Sequence, residues 1–129
     1  MADLEQLKQK YAGVISTLQG FTDIGATIDQ IGLDGDKLLL KAHVPSKVVA
    51  NRVWDAIKEA DPNYADLHHE IATSGGDAQP YTVQSGDNLS RIAKRFYGAA
   101  DKYSGIAQAN SLANPDLIKV GQKLNLPVM

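Results

Sequence analysis

The stretch Tyr81-Thr82-Val83-Gln84-Ser85-Gly86-Asp87-Asn88-Leu89-Ser90-Arg91-Ile92-Ala93 changes character part-way along. Tyr81-Thr82-Val83 reads as a brief strand. Leu89, Ile92, Ala93 and then Phe96 fall three and four residues apart, the spacing of one helix face. Between them Ser85-Gly86-Asp87-Asn88 is a turn rich in helix-capping side chains. Gly98 is placed to stop that helix. Downstream, Asp101 stands where it can cap a second helix carrying Tyr103, Ile106 and Ala107, with Asn110 closing it. Asn114-Pro115 marks another turn, and Lys123-Leu124-Asn125-Leu126-Pro127 reads as a closing strand. Strand, helix, helix, strand in about 50 residues is small for an unstapled domain, so its stability must rest on dense local packing and well-capped helices.

Upstream, Thr73-Ser74-Gly75-Gly76-Asp77-Ala78-Gln79-Pro80 is a run of turn and linker residues without apolar periodicity. It divides the chain into residues 1–73, a linker at 74–80, and residues 81–129. Residues 1–76 carry a net charge of −4 and residues 77–129 a net charge of +2. The first part opens with Leu4, Leu7, Tyr11, Val14, Ile15 and Leu18 at helical spacing, with Gly20 as a stop. Ala26, Ile28 and Ile31 mark a strand, and Leu38, Leu40, Ala42 and Val44 alternate along a second. Asp34-Gly35 between them is a hairpin signal. Pro45 ends the second strand and Ser46 can cap a helix bearing Val49, Val53, Trp54, Ile57 and Ala60. Asp61-Pro62-Asn63 stops that helix, and Tyr64 to Ala72 reads as a third strand. The expected class is α+β, with an N-terminal αββαβ domain followed by a C-terminal βααβ domain.

The second part resembles a LysM domain over its whole length. The resemblance rests on Gly86-Asp87-Asn88-Leu89, Ile92-Ala93, Phe96-Tyr97-Gly98, Ile106, Ala109-Asn110 and the run Asn114-Pro115-Asp116-Leu117-Ile118-Lys119-Val120-Gly121-Gln122-Lys123-Leu124-Asn125-Leu126-Pro127. Asn88 stands where Thr is common, and both are short hydrogen-bonding residues. The first part resembles a divergent BON domain in its element order. Lys41-Ala42-His43-Val44-Pro45 and Asn63-Tyr64-Ala65-Asp66 lack the glycines usual there. A BON-like unit followed by LysM is also similar to the bacterial potassium-binding proteins of that architecture.

The LysM resemblance implies binding rather than catalysis, with N-acetylglucosamine polymers of the peptidoglycan or chitin type as ligands. By position it assigns Gly86, Asp87, Asn88 and Leu89 to one wall of a groove, and Asn114, Pro115, Asp116, Leu117 and Ile118 to the other. Gly86 permits close backbone approach. Leu89, Leu117 or Ile118 can cover an acetyl methyl group. Asp87 either touches ligand or caps the helix, and the apolar residues either touch sugar or form core. A single shallow site binds weakly, so avidity would need several copies. The two-domain resemblance implies a potassium ion instead, held by neutral carbonyl oxygens that leave no side-chain motif. A protein–protein adaptor is the third class.

Other chemistry is less favoured. Asp34 and Asp36 can offer oxygens to a cation, but they lack the ligand spacing of a calcium loop, and a hairpin turn accounts for them. His68 and His69 are adjacent in a strand, so they point to opposite faces and cannot chelate together. His69 shares parity with Leu67 and Ile71, which suits a partly buried structural histidine, and Trp54 suits core better than a sugar platform. The chain has no Cys, which excludes disulfides, thiolate metal sites and cysteine catalysis. The second part has no His and no Glu, which argues against a serine triad or a paired-carboxylate glycosidase there. An overall charge of −2 does not suit a nucleic-acid binder. The longest apolar runs, Leu38-Leu39-Leu40 among them, fall far short of the roughly 18 residues of a membrane span. The opening Met-Ala-Asp-Leu-Glu-Gln-Leu-Lys is not a secretory signal, so the chain as written is expected in the cytoplasm, and in the periplasm only if a signal has been removed.

Overall fold

The computed structural model describes residues 3–129, which form two compact units: residues 3–45 with 49–75, and residues 46–48 with 76–129. The expected α+β class holds. In the first unit, α1 (Leu4–Lys10) and α2 (Ala12–Gln19) precede β1 (Thr27–Asp34), β2 (Lys37–Val44), α3 (Lys47–Ala60) and β3 (Leu67–Thr73). The sheet order is β1-β2-β3, with β1–β2 antiparallel and β2–β3 parallel. The alternation along β2 has its expected consequence: Leu38, Leu40, Ala42 and Val44 are all buried. They meet Leu7, Tyr11, Val14 and Leu18 from the first two helices and Val49, Val53 and Ile57 from α3, which complete the core.

Two local readings need correction. The first helical stripe is two helices, not one, broken at Tyr11 (φ −101°, ψ 21°). Tyr11 is fully buried and its hydroxyl donates to Asp66, 55 residues away, so a distant tertiary contact sets the break. The third strand starts at Leu67 rather than Tyr64, because residues 61–64 form a turn (Tyr64 N–H to Asp61 O, 3.1 Å) and Tyr64 has φ 35°. In β1, Ile28 pairs with Ala42 and Ile31 with Leu40, so both share the core side despite their odd spacing. A bulge between Ile28 and Gln30 makes this possible, and the extra residue is Asp29. Its carboxylate accepts from Thr27 Oγ1 at 3.0 Å and contacts His43 Nδ1.

The opposite sheet face is polar. Lys41 and Glu70, register partners on β2 and β3, pair at 3.3 Å, and His68 Nδ1 lies 2.5 Å from Asp34 Oδ2. His69 points the other way, as the strand parity requires. Its ring packs edge-on against Trp54 (5.1 Å) and Tyr64 (5.9 Å), so Trp54 belongs to a half-buried aromatic cluster. Burial first, and then the neighbouring His68, lower the pKa of His69 below its ordinary 6.5. Asp66 is also held below the carboxylate range, first by the hydrogen bond from Lys10 Nζ (2.8 Å) and then by that from Tyr11.

Both shifts are downward, so the unfolded chain binds more protons and stability falls as pH falls. The His69 contribution is present above pH 6.5 and is lost as pH falls through the lower folded value. The Asp66 contribution is lost below 3.8. Urea midpoints read by Trp54 fluorescence are expected to decline in these two steps, and His69→Phe should remove the upper one. An upper step that survives in His69→Phe would assign it to another group.

The second unit consists of β4 (Gln79–Thr82), α4 (Leu89–Tyr97), α5 (Tyr103–Ala109) and β5 (Lys123–Leu126), with β4 and β5 antiparallel. The strand begins two residues before Tyr81. Leu89, Ile92, Ala93 and Phe96 form the buried stripe of α4 and meet Tyr81, Ile106, Leu124 and Leu126. The Phe96 ring packs edge-on against Tyr81 at 5.4 Å. Asp101 does not cap α5. It lies in a single 3-10 turn, Ala100–Lys102, that leads into the helix, and no side chain caps the start of α5.

Asn110 ends α5 and clamps β5. Its amide donates to Ile106 O (2.8 Å) and Asn125 O (2.9 Å), and its Oδ1 accepts from Asn125 N–H (2.7 Å). Beyond β5, the Tyr97 hydroxyl donates to Pro127 O at 2.5 Å, and a β-carbon at Gly105 would collide with Met129 Sδ. Gly105→Ala is therefore expected to displace the Met129 side chain while α5 persists. The check is loss of contacts from the Met129 methyl group to residue 105 in NMR spectra, and unchanged contacts would refute it.

Candidate functional site

The site lies where the β4–α4 loop and the α5–β5 loop are held side by side. Val83 stitches them together: its N–H donates to Gln122 O (2.9 Å) and its carbonyl accepts from Gly121 N–H (2.8 Å). The first loop turns at Gly86, whose φ of +86° is a left-handed value that glycine adopts without strain. Asn88 is the helix cap: it is extended, and its Oδ1 accepts from Arg91 N–H at 2.9 Å. Asp87 is thus not the cap. Its Oδ2 accepts from the Tyr81 hydroxyl (2.5 Å) and from Gln84 N–H (2.8 Å), which braces the loop against β4. Burial first, and then this hydrogen bond to Asp87, push the Tyr81 hydroxyl up to about 12. It therefore stays protonated as a donor at neutral pH.

The second loop turns at Asn114-Pro115-Asp116-Leu117. Leu117 N–H donates to Asn114 O (3.1 Å), and Asn114 Oδ1 accepts from Asp116 N–H (3.0 Å). Leu117 is 70% exposed, while Ile118 is half-buried. Between the loops is an open cleft of about 470 Å³ lined by Asn88, Leu89, Ser90, Tyr103, Pro115 and Asp116.

Four of the nine groove residues expected from the sequence line this cleft: Asn88, Leu89, Pro115 and Asp116. Gly86, Asp87, Asn114, Leu117 and Ile118 shape or flank the two loops. Leu89 is 2% exposed, so it is chiefly core and offers only an edge to the cleft. Ser90 and Tyr103 are additions. Tyr103 reads in the sequence as part of the apolar stripe of α5, yet it is 40% exposed at the first position of that helix, where its ring faces the cleft rather than the core.

Asp34 and Asp36 flank the β1–β2 turn at Gly35, and the Asp34 carboxylate is engaged with His68. Among the described residues no group of three or more His, Asp or Glu side chains is placed to hold a metal ion. Nor is any described helix long and apolar enough to cross a membrane.

Several known proteins are similar to parts of this chain. An uncharacterized protein of Deinococcus radiodurans is 53% identical over 47 residues, covering 36% of this chain and 19% of that protein. Potassium binding protein Kbp of Escherichia coli is 48% identical over 60 residues, 45% of this chain and 40% of that protein. Esterase Rv1288 of Mycobacterium tuberculosis is 36% identical over 96 residues, 62% of this chain and 21% of that protein. The chain thus spans at most two fifths of the length of these relatives. Residues 81–127 match the LysM domain family, and the strand–helix–helix–strand unit that carries the cleft is a LysM domain.

Proposed function

We propose that this is a non-catalytic binding protein whose LysM unit takes N-acetylglucosamine-containing glycan, of the peptidoglycan or chitin type, between its two loops. One observation carries the reading: a LysM domain with an open cleft whose walls offer amide, hydroxyl and carboxylate groups beside an exposed tyrosine ring. Polar groups beside an exposed aromatic ring suit a sugar, which has hydroxyl edges and an apolar face. Within the same proposal, residues 1–73 are a BON-like domain, on the strength of the helix–strand–strand–helix–strand order, and 74–80 a linker whose last two residues, Gln79 and Pro80, open β4.

Titration of the labelled chain with N-acetylglucosamine tetramer tests this. Amide shifts are expected at residues 85–90 and 114–118 and at Tyr103. Gly86→Val forces a β-branched side chain onto φ +86°, which costs about 1–2 kcal/mol. It should weaken sugar binding roughly tenfold as the loop shifts to relieve that strain, while α4 and α5 persist. Unaltered affinity would move the site away from the β4–α4 loop.

A second reading is potassium binding, favoured by the similarity to Kbp. Amide shifts that follow potassium but not sodium would support it, and silence to both ions and to glycan would leave an adaptor role.

A further inference from the structure

We infer that the cleft selects glycans by charge, admitting uncharged N-acetylglucosamine units and their amine-bearing counterparts and disfavouring sugars that carry a carboxylate. Asp116 is the determinant and Tyr103 the platform. The inference rests on the glycan reading above and names the class of glycan that reading leaves open. Of the six residues lining the cleft, Asp116 alone carries a carboxylate, and no Lys, Arg or His lines it. Among the described residues Asp116 enters no salt bridge. Its side chain is exposed, and its backbone N–H is held by Asn114 Oδ1, which fixes the start of the side chain.

A carboxylate seated a few ångströms away is repelled, an ammonium is attracted, and an acetamido group is indifferent. At an exposed site this amounts to several-fold in affinity and weakens with salt. Tyr103, which also lines the cleft and is 40% exposed, offers a rigid amphipathic ring to the apolar face of a sugar whatever its charge. The two residues thus have separate roles. The ring holds any sugar of suitable shape, and the carboxylate sorts them.

The test is a set of NMR titrations of the full chain with three tetrasaccharides. One is fully N-acetylated glucosamine. The second is the same with one free amine. The third alternates N-acetylglucosamine with N-acetylmuramic acid whose lactyl carboxylates are free. At low salt the third is expected to bind about fivefold more weakly than the first, and the second at least as tightly as the first. Asp116→Asn should close the gap between the first and third, and so should raised salt. Tyr103→Ala should weaken all three alike, and Tyr103→Phe should restore them.

A gap that survives in Asp116→Asn and at high salt would make the discrimination steric and overturn the inference. So would equal binding of all three by the unaltered chain. Cleft shifts with the first sugar but no discrimination would sink the charge selection alone. No cleft shifts with any of the three would sink the glycan reading with it.

Discussion

Replacing Phe96 with alanine is expected to unfold the LysM unit. Phe96 is 1% exposed and sits on the buried stripe of α4, with its ring edge-on to Tyr81. Removing a buried phenylalanine ring costs about 3–5 kcal/mol. A unit of this size without a disulfide has only about 3–5 kcal/mol to lose, so the substitution consumes most or all of its stability. The amide signals of residues 79–129 should collapse into the narrow range of an unfolded chain. Phe96→Leu fills much of the space and should stay folded with a lowered urea midpoint. A dispersed spectrum and near-normal midpoint in Phe96→Ala would mean that the core of this unit is centred elsewhere.

The second large effect is expected at Asn110. Its side chain makes three hydrogen bonds, two of them to both backbone groups of Asn125. Each contributes about 0.5–1.5 kcal/mol net. Asn110→Ala should therefore destabilise the unit by about 2 kcal/mol and speed hydrogen exchange at the Asn125 amide. Asn110→Asp separates the parts, because a carboxylate can still accept from Asn125 N–H but has no hydrogen to give to the Ile106 and Asn125 carbonyls. It should fall short of the original stability despite its matching shape. Unchanged exchange at Asn125 in the alanine variant would show that β4 alone holds β5 in place.

These residues also show what a sequence discloses. Leu38, Leu40, Ala42 and Val44 announce a strand with one buried face because the period of two is local and unbroken. The LysM unit is legible for the same reason at larger scale: its turns, stripes and closing strand recur at fixed spacing. Other features depend on partners far along the chain. The helix break at Tyr11 goes with a contact to distant Asp66, and Gly13, two residues on, is only a weak local signal for it. The choice of Asn88 over Asp87 as cap is open in the sequence because the two are neighbours with similar chemistry. It is decided by Tyr81, whose hydroxyl claims Asp87. Tyr103 escapes notice as a cleft residue for a simpler reason. An aromatic residue at helical spacing from Ile106 and Ala107 reads as core, and only the position of the second loop shows that its ring is open to solvent.

The bulge at Asp29 bears on behaviour in concentrated solution. β1 is an outer strand of its sheet, and a flat outer strand is a template on which another chain can stack. The extra residue kinks the strand, and Asp29 and Asp34 add negative charge along it. A second molecule therefore meets a bent and charged border rather than a straight one. Deleting Asp29 would straighten that border, remove one of its charges and leave Ile28 and Ile31 in phase at the regular spacing of two, so the chain should lose solubility and begin to form fibres.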